Sequence, residues 1–279
     1  MQRILITGGT GTLGRQVVTL LREAGYQIRL MSRSPAPSPM LHGTEWVRAD
    51  LSTGQGLANA VQGVSTIVHT ASSPLRHSQQ VDVDGTRLLL EQARTAAVSH
   101  FVYISIVGID RLPFGYYRCK LTAEALIQSS GLPWSMLRAT QFHSFLDATL
   151  QAATRIPLLT PLPTDLRFQP IAESEVARRL CELVQDAPAG RVPDIGGPEV
   201  LTLGELAKTW LTLRQMHRLI LPISLPGKSA HALRQGYMTC PLRAEGKITW
   251  AEWVRQKYGC HTPGMAHHQM SEEHVGDGL

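Results

Sequence analysis

The 279-residue sequence has few cysteines, and the four present, Cys119, Cys181, Cys240 and Cys260, form no CxxC pair and follow no regular spacing. That argues against a disulfide framework and against a cysteine-rich zinc site, and makes a reducing compartment the simplest setting. Lysine is scarce as well, with five among the 27 Lys and Arg residues. The formal net charge of +5 arises against 22 Asp and Glu, but the arginines fall singly or in pairs and never in a basic run. With no basic stripe and no docking motif, nucleic acid is not an expected partner. No apolar run approaches the roughly 20 residues that a membrane span requires, so no membrane partner is expected either. Strand-like sequence begins at Arg3 with no signal peptide before it, and the expectation is a soluble, cytoplasmic protein. What remains is 43% hydrophobic and 18% charged, enough to bury a sizeable core.

Short apolar runs alternate with amphipathic stretches through the first half. Residues 3–7 (RILIT) read as a buried strand, and residues 15–24 carry Val17, Val18, Leu20 and Leu21 at helical spacing before Gly25 stops the helix. Strands are expected at 27–32, 45–49, 65–69, 100–105 and 134–137, with helices at 56–61, 83–96 and 116–129 between them. Pro35, Pro37 and Pro39 stiffen the loop after the second strand. This alternation implies a doubly wound parallel α/β sheet with both faces covered. Beyond it the pattern loosens. Helices are expected at 174–185, 202–211 and 249–258, with strands at 191–195 and 218–223, and Trp250 and Trp253 pack inward at helical spacing. The expected division is a Rossmann-type domain over 1–155, a smaller, less regular α/β region over 156–260 and a mobile tail over 261–279. His267, His268 and His274 in that tail lack the spacing of a metal site, and no metal is expected.

Residues 7–14 read TGGTGTLG, between the first strand and the first helix. Glycines at 8, 11 and 14 suit a tight turn, close backbone approach to a pyrophosphate and close contact of helix with strand. The helix beginning near Thr12 and Leu13 offers N–H groups and a positive dipole end to phosphates. A dinucleotide site is therefore expected there. Its preference is read after the second strand, where an NAD site usually places an acid. Here Met31 is followed by Ser32, Arg33 and Ser34, a set suited to a 2′-phosphate, with Arg15 able to assist. NADP(H) is expected in preference to NAD(H). Asp50, after the third strand, suits either the adenine amino group or a helix N-cap.

The glycine loop, Ala49-Asp50-Leu51, His69-Thr70-Ala71 and VDVDGTRLLLEQA at 81–93 resemble the short-chain dehydrogenase/reductase superfamily, and in particular its atypical, NmrA-like NAD(P)-binding branch. ISIVGID at 104–110, YYRCKLTAEALIQSSGLPWSMLRATQF at 116–142, FQPIAESEVA at 168–177, GGPEVLTLGELA at 196–207 and ITWAEWV at 248–254 extend the resemblance over roughly residues 3–258. It implies a cofactor site built from Gly8, Thr10, Gly11, Thr12, Leu13, Gly14, Ser32, Arg33, Asp50, Leu51, His69, Thr70 and Ala71. It also implies hydride transfer to or from a small organic carbonyl, quinone or enone by a Ser-Tyr-Lys set. Tyr116 and Lys120 have the YxxxK spacing, and residues i and i+4 share a helix face, so an ammonium there can stand beside the phenol and also contact the cofactor. Tyr117 points about 100° away. Lys120 has a competing pairing with Glu124, one turn on. Ser105 is the candidate serine, followed by Ile106 and Val107 where the family usually carries further hydroxyls. Gln141, Phe142 and His143 are candidates for the substrate pocket, with a structural role the alternative for His143. Cys119 shows no sign of activation. The branch holds reductases and also proteins that bind the dinucleotide without turning it over. A small-molecule substrate is therefore the expected partner of an enzyme, and another protein that of a redox sensor.

Overall fold

The computed structural model describes residues 2–36 and 43–259. Pro37, Pro39, Cys260 and the expected tail lie outside them. The first half follows the strand–helix alternation closely: β1 (Arg3–Thr7), α1 (Thr12–Glu23), β2 (Gln27–Ser32), β3 (Thr44–Arg48), α2 (Leu57–Val61) and β4 (Thr66–His69). Then come α3 (Gly85–Thr95), β5 (His100–Ile106), α4 (Gly115–Gln128) and β6 (Trp134–Ala139). The helix expected from residue 83 is entered through a π-helical turn, Gln79–Asp84. The second half contains α5 (His143–Ala153), β7 (Leu159–Leu162), β8 (Arg167–Phe168), α6 (Glu173–Gln185) and β9 (Gly190–Arg191). It ends with β10 (Leu201–Thr202), α7 (Leu203–Leu213), β11 (Leu219–Pro222), α8 (Lys228–Arg234) and α9 (Trp250–Tyr258).

Seven strands form one parallel sheet in the order β3-β2-β1-β4-β5-β6-β9. The chain moves outward from β1 through β2 and β3, then crosses to β4 and runs the other way. The strand order therefore reverses between β1 and β4, the place where open α/β sheets bind ligands. On one face Ile4, Ile6, Val68 and Val102 pack against Val17 and Leu21 of α1 and Val176 and Leu180 of α6. On the other, Leu5, Ile67, Phe101 and Tyr103 pack against α2, α3 and α4. Strands covered on both sides explain the unbroken apolar runs in the sequence.

The two units do not divide at residue 155. The apolar stripe of α6 completes one cover of the large sheet, and β9 pairs with β6 as its seventh strand. The expected strand at 191–195 shortens to two residues and a lone bridge between Ile195 and Ala139. Conversely α5, inside the expected first domain, gives Leu146 and Leu150 to a separate core with β7, β8, α7 and α9. There Trp250 is fully buried and stacks on Trp253 at 5.6 Å. Two two-stranded sheets, β8–β10 and β7–β11, complete this smaller lobe. Among the described residues no helix is long and apolar enough to cross a membrane.

Candidate functional site

The glycine loop closes on itself and on β4. Gly8 has φ +70°, and a Cβ there would stand 2.7 Å from the Ala71 backbone, so neither the conformation nor the space admits another residue. The Gly11 N–H donates to the Gly8 carbonyl at 2.9 Å, and a Cβ on Gly14 would lie 2.1 Å from that same oxygen. With the loop drawn this tight, α1 begins directly over the end of β1. Its N-cap, Gly11, has no side chain, and its first turn carries no acid. The N–H groups of that turn are left for an outside acceptor, and the dipole favours an anion. Arg15 lies across the loop, its Nε donating to the Thr10 carbonyl at 2.7 Å.

Over the carboxyl ends of β1, β2 and β4 lies a cleft of about 660 Å³, a size that suits an extended cofactor. It is lined by Gly8, Thr10 and Gly11 from the loop, Ser32, Arg33 and Ser34 after β2, Asp50 and Leu51 after β3, and Thr70 and Ala71 after β4. Thr12 stands exposed at the start of α1, while Leu13 and Gly14 are buried behind it. The glycine turn and the uncapped helix end fit the pyrophosphate of a nicotinamide dinucleotide, with Ser32, Arg33 and Ser34 along the rim. Asp50 is not the N-cap of α2, which begins after Gly56. Its Oδ1 instead accepts from the Ser52 N–H and hydroxyl at 2.8 and 2.7 Å, shaping the turn beneath the cleft.

His69 lies below the cleft, 1% exposed. Its Nδ1 meets the Thr7 hydroxyl at 2.6 Å and its Nε2 the Thr86 hydroxyl at 3.0 Å. The Thr86 hydroxyl donates to the Asp82 carbonyl at 2.7 Å, so it can only accept from the imidazole. Nε2 therefore carries the proton and Nδ1 accepts from Thr7. Burial, aided by the nearby Lys120, pushes the His69 pKa down to about 3, and the ring stays neutral.

The pairing expected of Tyr116 and Lys120 is replaced by two separate sets of contacts. The Tyr116 hydroxyl lies 2.8 Å from the Ser72 hydroxyl, and Ser72 lines the cleft. Ser72 in turn donates to Asp82 Oδ1 at 2.6 Å, and the Ser73 N–H donates to Oδ2 at 3.0 Å. With its proton committed to the carboxylate, Ser72 accepts from the phenol. Burial raises the Tyr116 pKa well above its ordinary value, and the Asp82 charge adds to the rise. Lys120 is buried, its Nζ donating to the Ile104 carbonyl at 2.9 Å and lying 4.2 Å from the centre of the Tyr103 ring. Burial brings its pKa down to about 8, against the opposing pull of Asp82 and Glu124. The surface pairing with Glu124 does not form. Glu124 is buried and holds Arg138 through both oxygens, at 2.8 and 2.6 Å. Tyr117 turns away, as its position on the helix requires, toward the Met238 sulfur at 3.5 Å.

Ser105 is 2% exposed and its hydroxyl has no partner, while Val107, where the resemblance leads one to expect a hydroxyl, is buried. Gln141, Phe142 and His143 do not line the cleft. The Gln141 amide donates to the Met238 carbonyl at 3.0 Å, Phe142 packs against the α1–α6 core, and His143 is fully buried against Trp250 and Trp253. Ser72 and Asp82 were not anticipated from the sequence, although a signal existed. Asp82 shares the helical face of Thr86, Leu89 and Ala93, an acid at a position where the pattern asks for an apolar residue. Among the described residues no cluster of His, Cys, Asp and Glu could hold a metal.

A family model for NAD(P)H-binding proteins matches residues 8–187. Among curated proteins, a photosystem II assembly factor, Ycf39, of Trieres chinensis is 34% identical over 166 residues, which are 57% of this chain and 51% of the relative. A 3-beta-hydroxysteroid dehydrogenase of Mycolicibacterium neoaurum is 35% identical over 154 residues, 45% of this chain and 42% of the relative. The chain spans about half the length of the curated relatives it matches. Among solved structures, an NADPH-dependent quinone oxidoreductase of Escherichia coli in complex with NADPH superposes with a TM-score of 0.76 at 22% identity, over 91% of this chain and 99% of that one. A UDP-glucose 4-epimerase of Thermus thermophilus in complex with NAD gives 0.71 at 18% identity, over 92% and 98%. Sheet order, glycine loop and family match agree: the chain belongs to the NAD(P)H-binding family and carries its dinucleotide site on a Rossmann fold.

Proposed function

We propose that the protein is an NADPH-dependent reductase of a small organic carbonyl, quinone or enone. The observation that carries this reading is the Tyr116 phenol, held through Ser72 at the edge of the dinucleotide cleft. Burial and the Asp82 charge keep its proton in place, so Tyr116 suits donation to a developing alkoxide far better than removal of an alcohol proton. That favours the reductive direction. Bound NADPH would supply the hydride. For its own part, the chain offers the α1 N-terminus to the pyrophosphate, Ser32, Arg33 and Ser34 to the 2′-phosphate, and Tyr116 to the substrate oxygen. Lys120 holds the end of β5 through the Ile104 carbonyl and places a cation beneath the site. Three unpaired cysteines among the described residues, Cys119, Cys181 and Cys240, suit a reducing cytoplasm.

A second reading is favoured by the Ser105 hydroxyl, buried without a partner, and by Val107 where the resemblance leads one to expect a hydroxyl. On that reading the protein binds NADP without turnover, and occupancy changes its affinity for another protein. Titration calorimetry with NADPH and NADH, followed by absorbance at 340 nm across a carbonyl, quinone and enone panel, separates the two. The reductase shows tighter binding of NADPH and a substrate-dependent loss of absorbance. Tyr116→Phe abolishes that loss and leaves cofactor affinity nearly intact; unchanged turnover in the variant refutes the role of Tyr116. Tight binding with no loss across the panel, and a partner whose capture depends on NADP, establishes the sensor.

A further inference from the structure

Several of the exposed large apolar side chains gather on the smaller lobe. In the β7–β11 sheet Leu159 stands beside Leu219, and Leu221 beside Pro161, so all four project from one face. Leu219 is 66% exposed, and Leu159 and Leu221 are exposed with it. Ile156 and Leu158, the latter 75% exposed, lead into β7, while Ile223 and Leu225 continue the same surface beyond β11. None of these residues lines the dinucleotide cleft. A contiguous apolar surface of this kind marks a contact with something else.

Its charge setting is mostly cationic, and Asp165, an acid beside it, is paired with Arg234, whose guanidinium also donates to the Leu225 carbonyl. Between Glu205 and Glu245 the sequence holds no acid and six Lys and Arg residues, and between Asp147 and Asp165 the only charged side chain is Arg155. Arg155 adjoins Ile156, and Lys228 lies three residues after Leu225, both exposed. Arg218 adjoins Leu219 and donates to the Ile156 carbonyl at 2.6 Å, which fixes a guanidinium at the rim of the face. We propose that this face docks on a lipid membrane surface bearing anionic headgroups.

Other occupants fit less well. A second copy through the same face would oppose one cationic rim to another. A strand added to the edge of β11 would find few donors. The N–H groups of Leu219 and Ile223 already point to β7, so Ile220 and Pro222 face outward, and proline has no N–H. Protein interfaces concentrate aromatic anchors and hydrogen bonds, whereas this surface is leucine, isoleucine and proline. Aliphatic groups ringed by cations match hydrocarbon beneath anionic headgroups, where apolar burial and charge attraction act together.

Co-sedimentation with phosphatidylcholine vesicles, with and without 30 mol% phosphatidylglycerol, tests the proposal (~30 mol% supplies ample surface charge). The expected result is binding that requires phosphatidylglycerol and weakens as salt is raised. Leu219→Ser/Leu221→Ser, both at exposed positions, should lower partitioning about tenfold while leaving the thermal midpoint nearly unchanged. Arg155→Glu/Lys228→Glu, which alters no core residue, should lower it by a similar factor or more. Equal binding to both vesicle types, no binding to either, or wild-type binding by both variants overturns the proposal. So does a dimer in sedimentation velocity that Leu219→Ser/Leu221→Ser dissolves, because a second copy would then be the occupant. None of these outcomes depends on whether the protein turns over NADPH.

Discussion

Lowering the pH from 7 to 5 should destabilise the protein mainly through two histidines that never meet water. His69 is sandwiched between the Thr7 and Thr86 hydroxyls and stacks on Tyr103 at 5.5 Å. His143 is enclosed by Trp250 and Trp253. Burial brings the two pKa values down to about 3 and about 4, with the Pro170 backbone opposing the second shift. The unfolded chain, with imidazoles near 6.5, takes up protons first as pH falls. Stability is therefore lost below 6.5 and continues to fall until the folded-state values are reached. At pH 5 each histidine contributes about 2 kcal/mol of loss, or roughly 4 kcal/mol together. His100, also shifted downward by burial, adds to it. That is a large share of a typical folding free energy of about 5–15 kcal/mol. Urea unfolding at pH 7 and pH 5 measures the loss, and His69→Asn isolates one half of it. The variant has nothing to titrate at that position, so its drop should be about 2 kcal/mol smaller than that of the wild type. An equal drop in both proteins would refute the buried, neutral His69 and the tautomer assigned to it.

Other perturbations reach different parts of the molecule. Glu124→Gln leaves the buried Arg138 guanidinium facing a neutral amide, at a cost of about 3 kcal/mol. The thermal midpoint should fall by roughly 6–10 °C, and a fall under 2 °C, small against ~3 kcal/mol, would show that solvent or Asp110 replaces the lost charge. Gly8→Ala forces a Cβ into the Ala71 backbone at positive φ and should lower dinucleotide affinity more than tenfold by calorimetry, roughly 1.4 kcal/mol or above. Wild-type affinity in that variant would contradict the loop geometry. Arg33→Ala should weaken NADPH binding by about 10- to 100-fold and leave NADH binding nearly unchanged; equal losses for both would remove the 2′-phosphate contact.

The sequence made much of the large sheet legible because β1, β4 and β5 are apolar on both faces and α1 and α3 carry clean apolar stripes. The glycine loop was legible for a local reason too, since its spacing and its place after β1 carry the geometry. Much of the smaller lobe is invisible to such reasoning. β8, β9 and β10 are two residues each, too short for a period, and they exist only because distant partners hold them. The run that forms α5, HSFLDATLQAA, hides its inward face by placing Asp147 on it. That carboxylate is buried only because the Trp210 indole N–H, the Tyr258 hydroxyl and the Lys257 ammonium all converge on it, at 2.6–2.7 Å. Spacing alone also offered a pairing of Lys120 with Glu124 that does not form. They do share a helix face, but β5 and β6 supply each with a different partner. His143 looked like a pocket residue for the same reason, because a polar side chain after the sixth strand gives no sign of the tryptophans that enclose it.

The packing of α6 on α1 imposes an order on the making of the protein. α1 is made about 150 residues ahead of α6, the helix that packs against its apolar side and begins at Glu173. At ordinary elongation rates the gap lasts roughly 10–30 s. Throughout it the central strand β1 can pair with β2 and β4 while α1 alone covers that face of the sheet. A nascent chain that stops short of α6 therefore carries an apolar flank, from Val17 and Leu21 to Val68 and Val102, with part of its cover still to be made.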